Sequence, residues 1–586
     1  MNHLFGRLTE AAGETAASWR AATAVAHCAE RRLAVALEGL PVWRDGDLAR
    51  LARELGDARA LLEGYHRHGE GILQYLHGSF ALALQDAGAE LVLLATDRVG
   101  GVPLFHADTD SGLVFGSRAD QVAAQPGVNA ELHPQALYDY LYFHVVPGPE
   151  TVYQGVRRLQ PGECLRWQGG RARVDPYWVM EYREDNAHGD PASLREEFRE
   201  RVRDAVRQRA QGDVPVGAFL SGGTDSSTVS GMLGQVQGAP ARTYSIGFDA
   251  PGYDEMEYAR LVSRHFGTEH HEYYVTAEDV VTGVPMVAGH FDQPFANASA
   301  VPAYYCARMA REDGIGRLLA GDGGDELFGG NYRYAKQQMF AWYGRIPVTL
   351  RRFGIEPLLF DTPLGRLGPM RKLGNYVRQA RLPMPERMET YNLLDRLGPE
   401  RILTDEYLSR IDRGVPMALL RDTYHGAHAG HMLNRMLAVD MRFTLADSDL
   451  PKVTGACGMA GIEVAFPFLD EQLMAFAASL PTREKVRGTR LRYLFKDALR
   501  DFLPPEILAK KKQGFGLPFG LWLATHSGLR ELTGDSLSSL KQRGIVRPAF
   551  IDELLDRHHA EHAAYFGTMV WTLLMLEQWL AARENP

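Results

Sequence analysis

At 586 residues the chain exceeds what one ordinary hydrophobic core organises, so at least two domains are expected. Hydrophobic residues at 45% and charged residues at 23% exclude a disordered or fibrous chain. A formal net charge of −9 argues against the concentrated basic surface that phosphate backbones need, so no nucleic-acid partner is expected.

The first 180 or so residues are rich in short β-type runs. "SFALALQDA" (79–87) and "AELVLLATD" (89–97) meet at Ala-Gly, and "GLVFGS" (112–117) follows, which predicts a layered, β-rich domain with some helix. The polar stretch "REDNAHGDPAS" (183–193), with its Gly and Pro, predicts a linker. From 194 the rhythm changes. The helix "LREEFRERVRDAVRQRA" precedes strand "VPVGAFL", turn "SGGTDSS", helix "STVSGMLGQV", strand "RTYSIGF", helix "DEMEYARLVSRHF", strand "HHEYYVT", a helix near 277–291 and strand "RLLAG". Such alternation predicts a parallel, twisted α/β sheet. The basic cluster at 201–211 reads as a solvated helix face. Beyond about 335 the pattern is mostly helical. The apolar run at 569–582 is too short and interrupted to span a bilayer, and no signal segment opens the chain. Cys28, Cys164, Cys306 and Cys457 form no CxxC pair, which excludes a zinc site or disulfide framework and suits a reducing compartment. A cytoplasmic protein without a membrane partner is expected.

Chemistry concentrates at Ser221, Gly222, Gly223, Thr224, Asp225, Ser226 and Ser227, directly after an apolar strand and opening a helix. The glycines permit a tight turn that aims successive N–H groups at one point, and the helix N-terminus adds positive charge. The serine hydroxyls add donors, and Asp225 can hold a divalent cation on phosphate oxygens. No lysine follows the glycines, so this is not the GxxxxGK[ST] loop. Six specified residues at roughly 7% each arise at about one start position in 10⁷, so chance is a poor explanation.

The loop resembles the SGGxDSS pyrophosphate loop of ATP-pyrophosphatases, which cleave ATP between its α and β phosphates. Further segments narrow the resemblance: "FDQPFANASAVP" (291–302), "AGDGGDELFGG" (320–330), "LPKVTGACGMAGIEVAFPFLD" (450–470) and "LAKKKQGFGLPFGLWL" (508–523). Together they are similar to the synthetase domain of class B asparagine synthetases over roughly 195–530, a scaffold shared with β-lactam synthetases and lasso-peptide cyclases. The resemblance implies adenylation of a carboxylate with ATP and Mg²⁺, release of pyrophosphate, and displacement of AMP by an amine. It implies Asp225 and Asp325 as magnesium ligands, Gly323 and Gly324 as part of the ATP/pyrophosphate site, and Lys512 as the lysine that steadies the transition states. Asp322 stands where asparagine synthetases often carry glutamate and β-lactam synthetases tyrosine, and is the candidate for orienting or deprotonating the amine. Lys452 matches a lysine near the active site. Lys510 and Lys511 are expected to be surface charge.

In that family the first domain is an N-terminal-nucleophile glutaminase opening MCGIFG. Here "MNHLFG" puts Asn2 at the cysteine position, and asparagine cannot form the thioester. Only residues 7–30 separate this opening from "ERRLAVALEGLPVW", so the stretch holding RGPD and the glutamine-binding arginine is largely missing, and Glu38 replaces an asparagine. "LHGSFALALQD", "ATDRVGGVPLF" and "FGSRAD" keep the scaffold, with Asp97 and Arg98 as packing residues. Cys28 is internal and far from a processed N-terminus, so it is not a displaced nucleophile.

The expectation is therefore two domains of mixed α+β and α/β class. Residues 1–182 form a degenerate Ntn-hydrolase-like glutaminase domain, 183–193 a linker, and 194–586 a Rossmann-like ATP-pyrophosphatase domain with a helical lobe. The partners are a small-molecule or peptide carboxylate and an amine or ammonia donor from elsewhere, for which a separate glutaminase or a precursor peptide are sources. Three readings stand: an amide-forming ligase using outside nitrogen, an intramolecular cyclase of the β-lactam or lasso type, and a non-catalytic regulator. The sequence leaves open whether the chain forms a homodimer.

Overall fold

The computed structural model describes residues 3–11, 14–20, 24–184, 190–362, 368–511, 514, 516–560 and 563–584. Asn2 and Lys512 lie outside them.

Two antiparallel sheets stack face to face at the N-terminal end. The six-stranded sheet runs Arg171–Pro176, Glu163–Gln168, Leu91–Thr96, Leu76–Asp86, Leu33–Trp43, Ala24–Cys28 in spatial order. The five-stranded sheet runs Glu14–Arg20, Phe5–Ala11, Gly112–Gly116, Phe105–Thr109, Arg157–Arg158. The period-two alternation of strands decides the layers. Phe80, Leu82 and Leu84 point to one face and pack on Leu48, Leu61 and Leu62 of helices Gly46–Leu55 and Asp57–His68. The intervening Ala81 and Ala83 face the second sheet and meet Leu113, Phe115 and Leu4. Large residues thus grip the helices, while small ones let the sheets approach. The outer face of the second sheet, with Phe105, Ala107 and Val114, packs on helix Pro134–Phe143 and joins the core of the C-terminal lobe. This is the layered, β-rich arrangement with some helix that the sequence predicts.

Helix Pro191–Arg209 begins inside the expected linker, with Pro191 in its first turn, where a missing N–H costs nothing. Its basic run is not wholly solvated, because Arg209 is buried at the domain junction, close to Gly78. The second sheet system is entirely parallel, in the order Glu269–Val275, Arg242–Phe248, Val216–Phe219, Arg317–Leu319, Glu463–Ala465. The chain steps outward from Val216–Phe219 through two strands, then returns to its other side with Arg317–Leu319. The crevice beyond the carboxyl ends of these two neighbours is the switch point where open α/β sheets bind ligands. From Tyr332 onward the chain is mostly helical, with Glu463–Ala465 as the last strand of the sheet. Among the described residues no helix is long and apolar enough to cross a membrane, and all four cysteines are free.

Candidate active site

Two glycine-rich loops leave the adjacent strands and pack on one another at the switch point. The first, residues 221–227, turns at Gly222, whose φ of +66° is left-handed and where an added Cβ would lie 2.4 Å from Cβ of Tyr258. Ser226 Oγ accepts from the Ser221 amide at 3.1 Å and lies 2.9 Å from Ser221 Oγ, which cinches the turn. Helix Thr224–Gln237 starts from Gly223 with no side-chain cap. Its first-turn N–H groups are therefore not claimed by a capping side chain. Ser227 Oγ is fully buried without a hydrogen-bond partner.

The second loop, residues 320–324, crosses so close that a Cβ on Gly324 would sit 2.1 Å from Asp225 Oδ1. This places Asp225 beside Asp325, the second residue of the short helix Gly324–Phe328. Both carboxylates grip Arg492, a residue that motif reading does not single out. Its Nη1 donates to Asp225 Oδ1 at 2.7 Å and to Thr224 Oγ1. Its Nη2 donates to Asp225 Oδ2 at 2.6 Å and to Asp325 Oδ1. Arg492 is 5% exposed and has φ +52°, a strained setting for a residue with a side chain, at the start of helix Tyr493–Ala498.

Asp322 and Lys452 also meet. Lys452 Nζ lies 2.9 Å from Asp449 Oδ1 and 3.7 Å from Asp322 Oδ1. Burial works against the ammonium, but Asp449 and Asp322 outweigh it and hold Lys452 charged above its usual range. Burial raises the Asp322 carboxyl, with Lys452 opposing. Behind them Glu326 is pushed up to about 8, first by burial and then by Asp449 and Asp322, so it is protonated at neutral pH. Asn297, from the 291–302 segment, donates to Ser448 Oγ at 3.1 Å and Asp449 Oδ1 at 3.3 Å. Four separated sequence segments thus close on one crevice, and Arg492, Glu326, Asp449 and Asn297 join the residues named from motifs.

Lys510 corrects an expectation. It is not surface charge: its Nζ donates to the Gly222 carbonyl at 3.3 Å, pairs with Glu255 Oε1 at 3.1 Å and lies 4.3 Å from the Tyr258 ring centroid. Burial lowers its ammonium pKa, with Glu255 opposing. It holds the back of the first loop, whereas Lys511 is exposed as expected. Lys512, the transition-state candidate, lies outside the described residues.

At the other end of the chain, Glu38 faces the N-terminus. Its Oε2 accepts from the Leu4 amide at 2.6 Å and from Ser117 Oγ at 2.7 Å, and His3 Nδ1 lies 3.5 Å from Oε1. Burial alone would raise the Glu38 carboxyl, but His3, Ser117 and the Leu4 amide hold it low. A carboxylate is thus tied to the segment that follows Asn2, itself outside the described residues. Asp97 is a packing residue as expected: fully buried, its oxygens accept from the amides of Phe80, Val99, Gly101 and Val102.

Comparison with known proteins agrees with this arrangement. The asparagine synthase family profile matches residues 197–581 and the glutamine amidotransferase domain profile residues 48–178. A Mycobacterium tuberculosis protein, named provisionally as a glutamine-hydrolyzing asparagine synthetase, is 29% identical over 547 residues, 90% of this chain and 80% of that protein. The glutamine-hydrolyzing asparagine synthetase 1 of Bacillus subtilis is 26% identical over 539 residues, 89% of this chain and 80% of that protein. The amidase chyE of Penicillium rubens is 23% identical over 535 residues, 83% of this chain and 76% of that protein. With two-thirds of its length matched by one family and its motif loops converging on one crevice, the chain belongs to the asparagine synthase family.

Proposed function

We propose that this ATP-dependent amide ligase adenylates a carboxylate, releases pyrophosphate, and joins the acyl group to an amine or ammonia not made by its own N-terminal domain. The observation that carries this reading is the convergence of Asp225 and Asp325, from two glycine-rich loops at neighbouring strand ends, on a single cationic group. Their oxygens address one position from two sides, which suits a hard cation. Magnesium is such a cation, typically held by one or two carboxylates plus phosphate oxygens. Asp225 and Asp325 would hold that ion, and when bound it supplies positive charge to the phosphate oxygens. The loop N–H groups and serine hydroxyls cradle the pyrophosphate, and Arg492 adds donors for negative charge as the α–β bond breaks. Asp322, raised by burial, accepts the proton of the attacking amine, with Lys452 and Asp449 fixing its position. Lys512 is assigned to the same charge-stabilising work on sequence grounds.

The nitrogen source follows from the front of the chain. Asn2 has no nucleophilic atom for a thioester, and the Glu38 carboxylate is hydrogen-bonded to the Leu4 amide. The test is pyrophosphate release by purified protein with MgATP and a panel of amino acids and peptides, with glutamine, ammonium or no added amine. Release that needs a carboxylate, persists without glutamine and disappears in Asp325→Ala is the expected result, with Asn2→Cys failing to restore use of glutamine. Peptides that turn over with no added amine would place the chain among intramolecular cyclases. Glutamine-dependent turnover by the wild type would overturn the assignment of the N-terminal domain. No release with any carboxylate, together with no binding of ATP, would leave a non-catalytic regulator.

Gly324→Ala probes the loop contact itself. The new methyl would collide with Asp225, so pyrophosphate release is expected to fall at least about tenfold, with a stability loss of roughly 1–3 kcal/mol from overpacking. Steady-state assays and denaturant titration check both, and unchanged release would show that the two loops do not work in contact.

A further inference from the structure

A cleft of ≈ 860 Å³ lies between the two domains, away from the ATP crevice. Arg44, Gln74 and Arg98 line it from the N-terminal domain, and His428, Met474 and Ser479 from the synthetase domain. Tyr177, Trp178 and Met180 give it an apolar wall. Its charges do not balance. Arg183 has Glu181 at 3.2 Å, and Glu471 is held by the Gly78 amide at 2.9 Å and His77 Nδ1 at 3.2 Å. Arg44 and Arg98 form no ion pair with a carboxylate among the described residues.

Arg98 is buried against Trp178, as a packing residue would be, yet its polar atoms are short of partners. It is 8% exposed, its Nε has no hydrogen-bond partner, and its Nη2 reaches the Gln74 carbonyl only at 3.5 Å. Its guanidinium faces the Trp178 ring at 5.8 Å. Burial lowers its pKa; Glu471 and Tyr177 oppose that effect, and Arg44 adds to it. Arg44 is exposed at this cleft. Its Nε lies 3.2 Å from His77 Nδ1, the same nitrogen that lies 3.2 Å from Glu471 Oε2. One ring nitrogen cannot accept from Arg44 and donate to Glu471 together. Nδ1 accepts the Arg44 Nε–H, while Arg44 Nη1 and Nη2 make no hydrogen bond among the described residues. Two guanidinium groups thus face one apolar-walled cleft, and for the buried Arg98 an unmade donor is costly.

We propose that this interdomain cleft binds a small organic carboxylate with an apolar or aromatic body, anchored by Arg44 and Arg98 and seated against Tyr177 and Trp178. Paired guanidinium forks match a carboxylate. A phosphate would draw on free backbone N–H groups, but the helix at this cleft, Glu471–Ser479, has its first amides taken by the Asp470 carboxylate. Because the anchors belong to one domain and the opposite wall to the other, the glutaminase-like domain keeps a role as half of a binding site after losing its nucleophile.

The test uses the full chain and four probes: 3-phenylpropionate, acetate, phenyl phosphate and inorganic phosphate. Binding is measured by calorimetry and thermal melting for wild type, Arg98→Gln, Arg98→Lys and Arg44→Gln. ATP binding and circular dichroism report whether each variant is folded. Saturable binding of 3-phenylpropionate that exceeds acetate and weakens at least about tenfold in Arg98→Gln and Arg44→Gln is expected, with Arg98→Lys in between. Preference for phenyl phosphate or inorganic phosphate overturns the carboxylate assignment. Equal binding by all folded variants, or no saturable binding of any probe, overturns the site and leaves Arg98 as packing against Trp178. ATP binding that survives in Arg98→Gln keeps either failure separate from the ligase reading.

Discussion

Arg492→Ala is expected to abolish pyrophosphate release and to destabilise the synthetase domain by about 3–5 kcal/mol, the usual cost of removing one member of a buried ion pair. The arginine is 5% exposed and is bonded to both Asp225 and Asp325. Without it, two carboxylates held close together by their loops lose the cation they share, and like charges repel. Its strained backbone, φ +52°, persists because its Thr224, Asp225 and Asp325 contacts determine its position.

Arg492→Lys separates charge from geometry. A single ammonium can neutralise one aspartate but cannot present the fork that reaches Asp225 through two nitrogens and Asp325 at once. Stability is expected to recover by more than half, while pyrophosphate release stays roughly 10²-fold below wild type, the scale of losing one preorganised donor to developing charge. Denaturant titration and steady-state release check the two parts. Wild-type release by the lysine variant would show that Arg492 supplies charge alone. Wild-type release by Arg492→Ala would remove it from the site.

Why Arg492 escapes a motif reading is instructive. Residues 221–227 announce themselves because a phosphate cradle needs glycine, serine and aspartate in a fixed local order, and local order is what a sequence displays. The strand–helix rhythm around them shows the parallel sheet for the same reason: strand and helix periods are short. Arg492 enters the crevice from a segment, "TRLRYLFKDAL", with no glycine-rich context, and its partners lie 267 and 167 residues away. Nothing local distinguishes it from Arg490, two positions earlier. Lys510 misleads in the opposite way, since a run of three lysines reads as solvated charge until the fold lays Nζ on the Gly222 carbonyl. Glu326 shows a third limit. Its acid–base state depends on burial and on Asp449, 123 positions later in the chain, and neither is a sequence property. Asn2 shows the converse, because the residue type at the family's cysteine position is read from one letter.

The junction between the domains should come apart in acid before neutral-pH conditions loosen it, and Glu471 is the reason. This side chain starts helix Glu471–Ser479 in the synthetase domain yet accepts from the Gly78 amide of the N-terminal domain at 2.9 Å and faces His77 at 3.2 Å. Burial alone would raise its carboxyl, but His77, Arg209 and the Gly78 amide bring it down to about 2 from an ordinary 4.5. A carboxyl whose pKa is depressed on folding stabilises the folded state fully above its unfolded value and loses that contribution as pH falls through the folded one. The window is therefore about pH 4.5 to 2, and the contribution at neutral pH is roughly 3 kcal/mol at 1.36 kcal/mol per pKa unit. Glu471→Gln keeps the shape and one acceptor for Gly78 but removes the charge that His77 and Arg209 compensate. It is expected to lower stability by about 3 kcal/mol at pH 7 and to flatten the loss between pH 4.5 and 2. Urea titrations of both proteins at pH 7, 5, 4 and 3, followed by tryptophan fluorescence, measure the difference directly. A gap between variant and wild type that stays constant across that range would mean that the Glu471 charge does not hold the domains together, and that packing across the interface does.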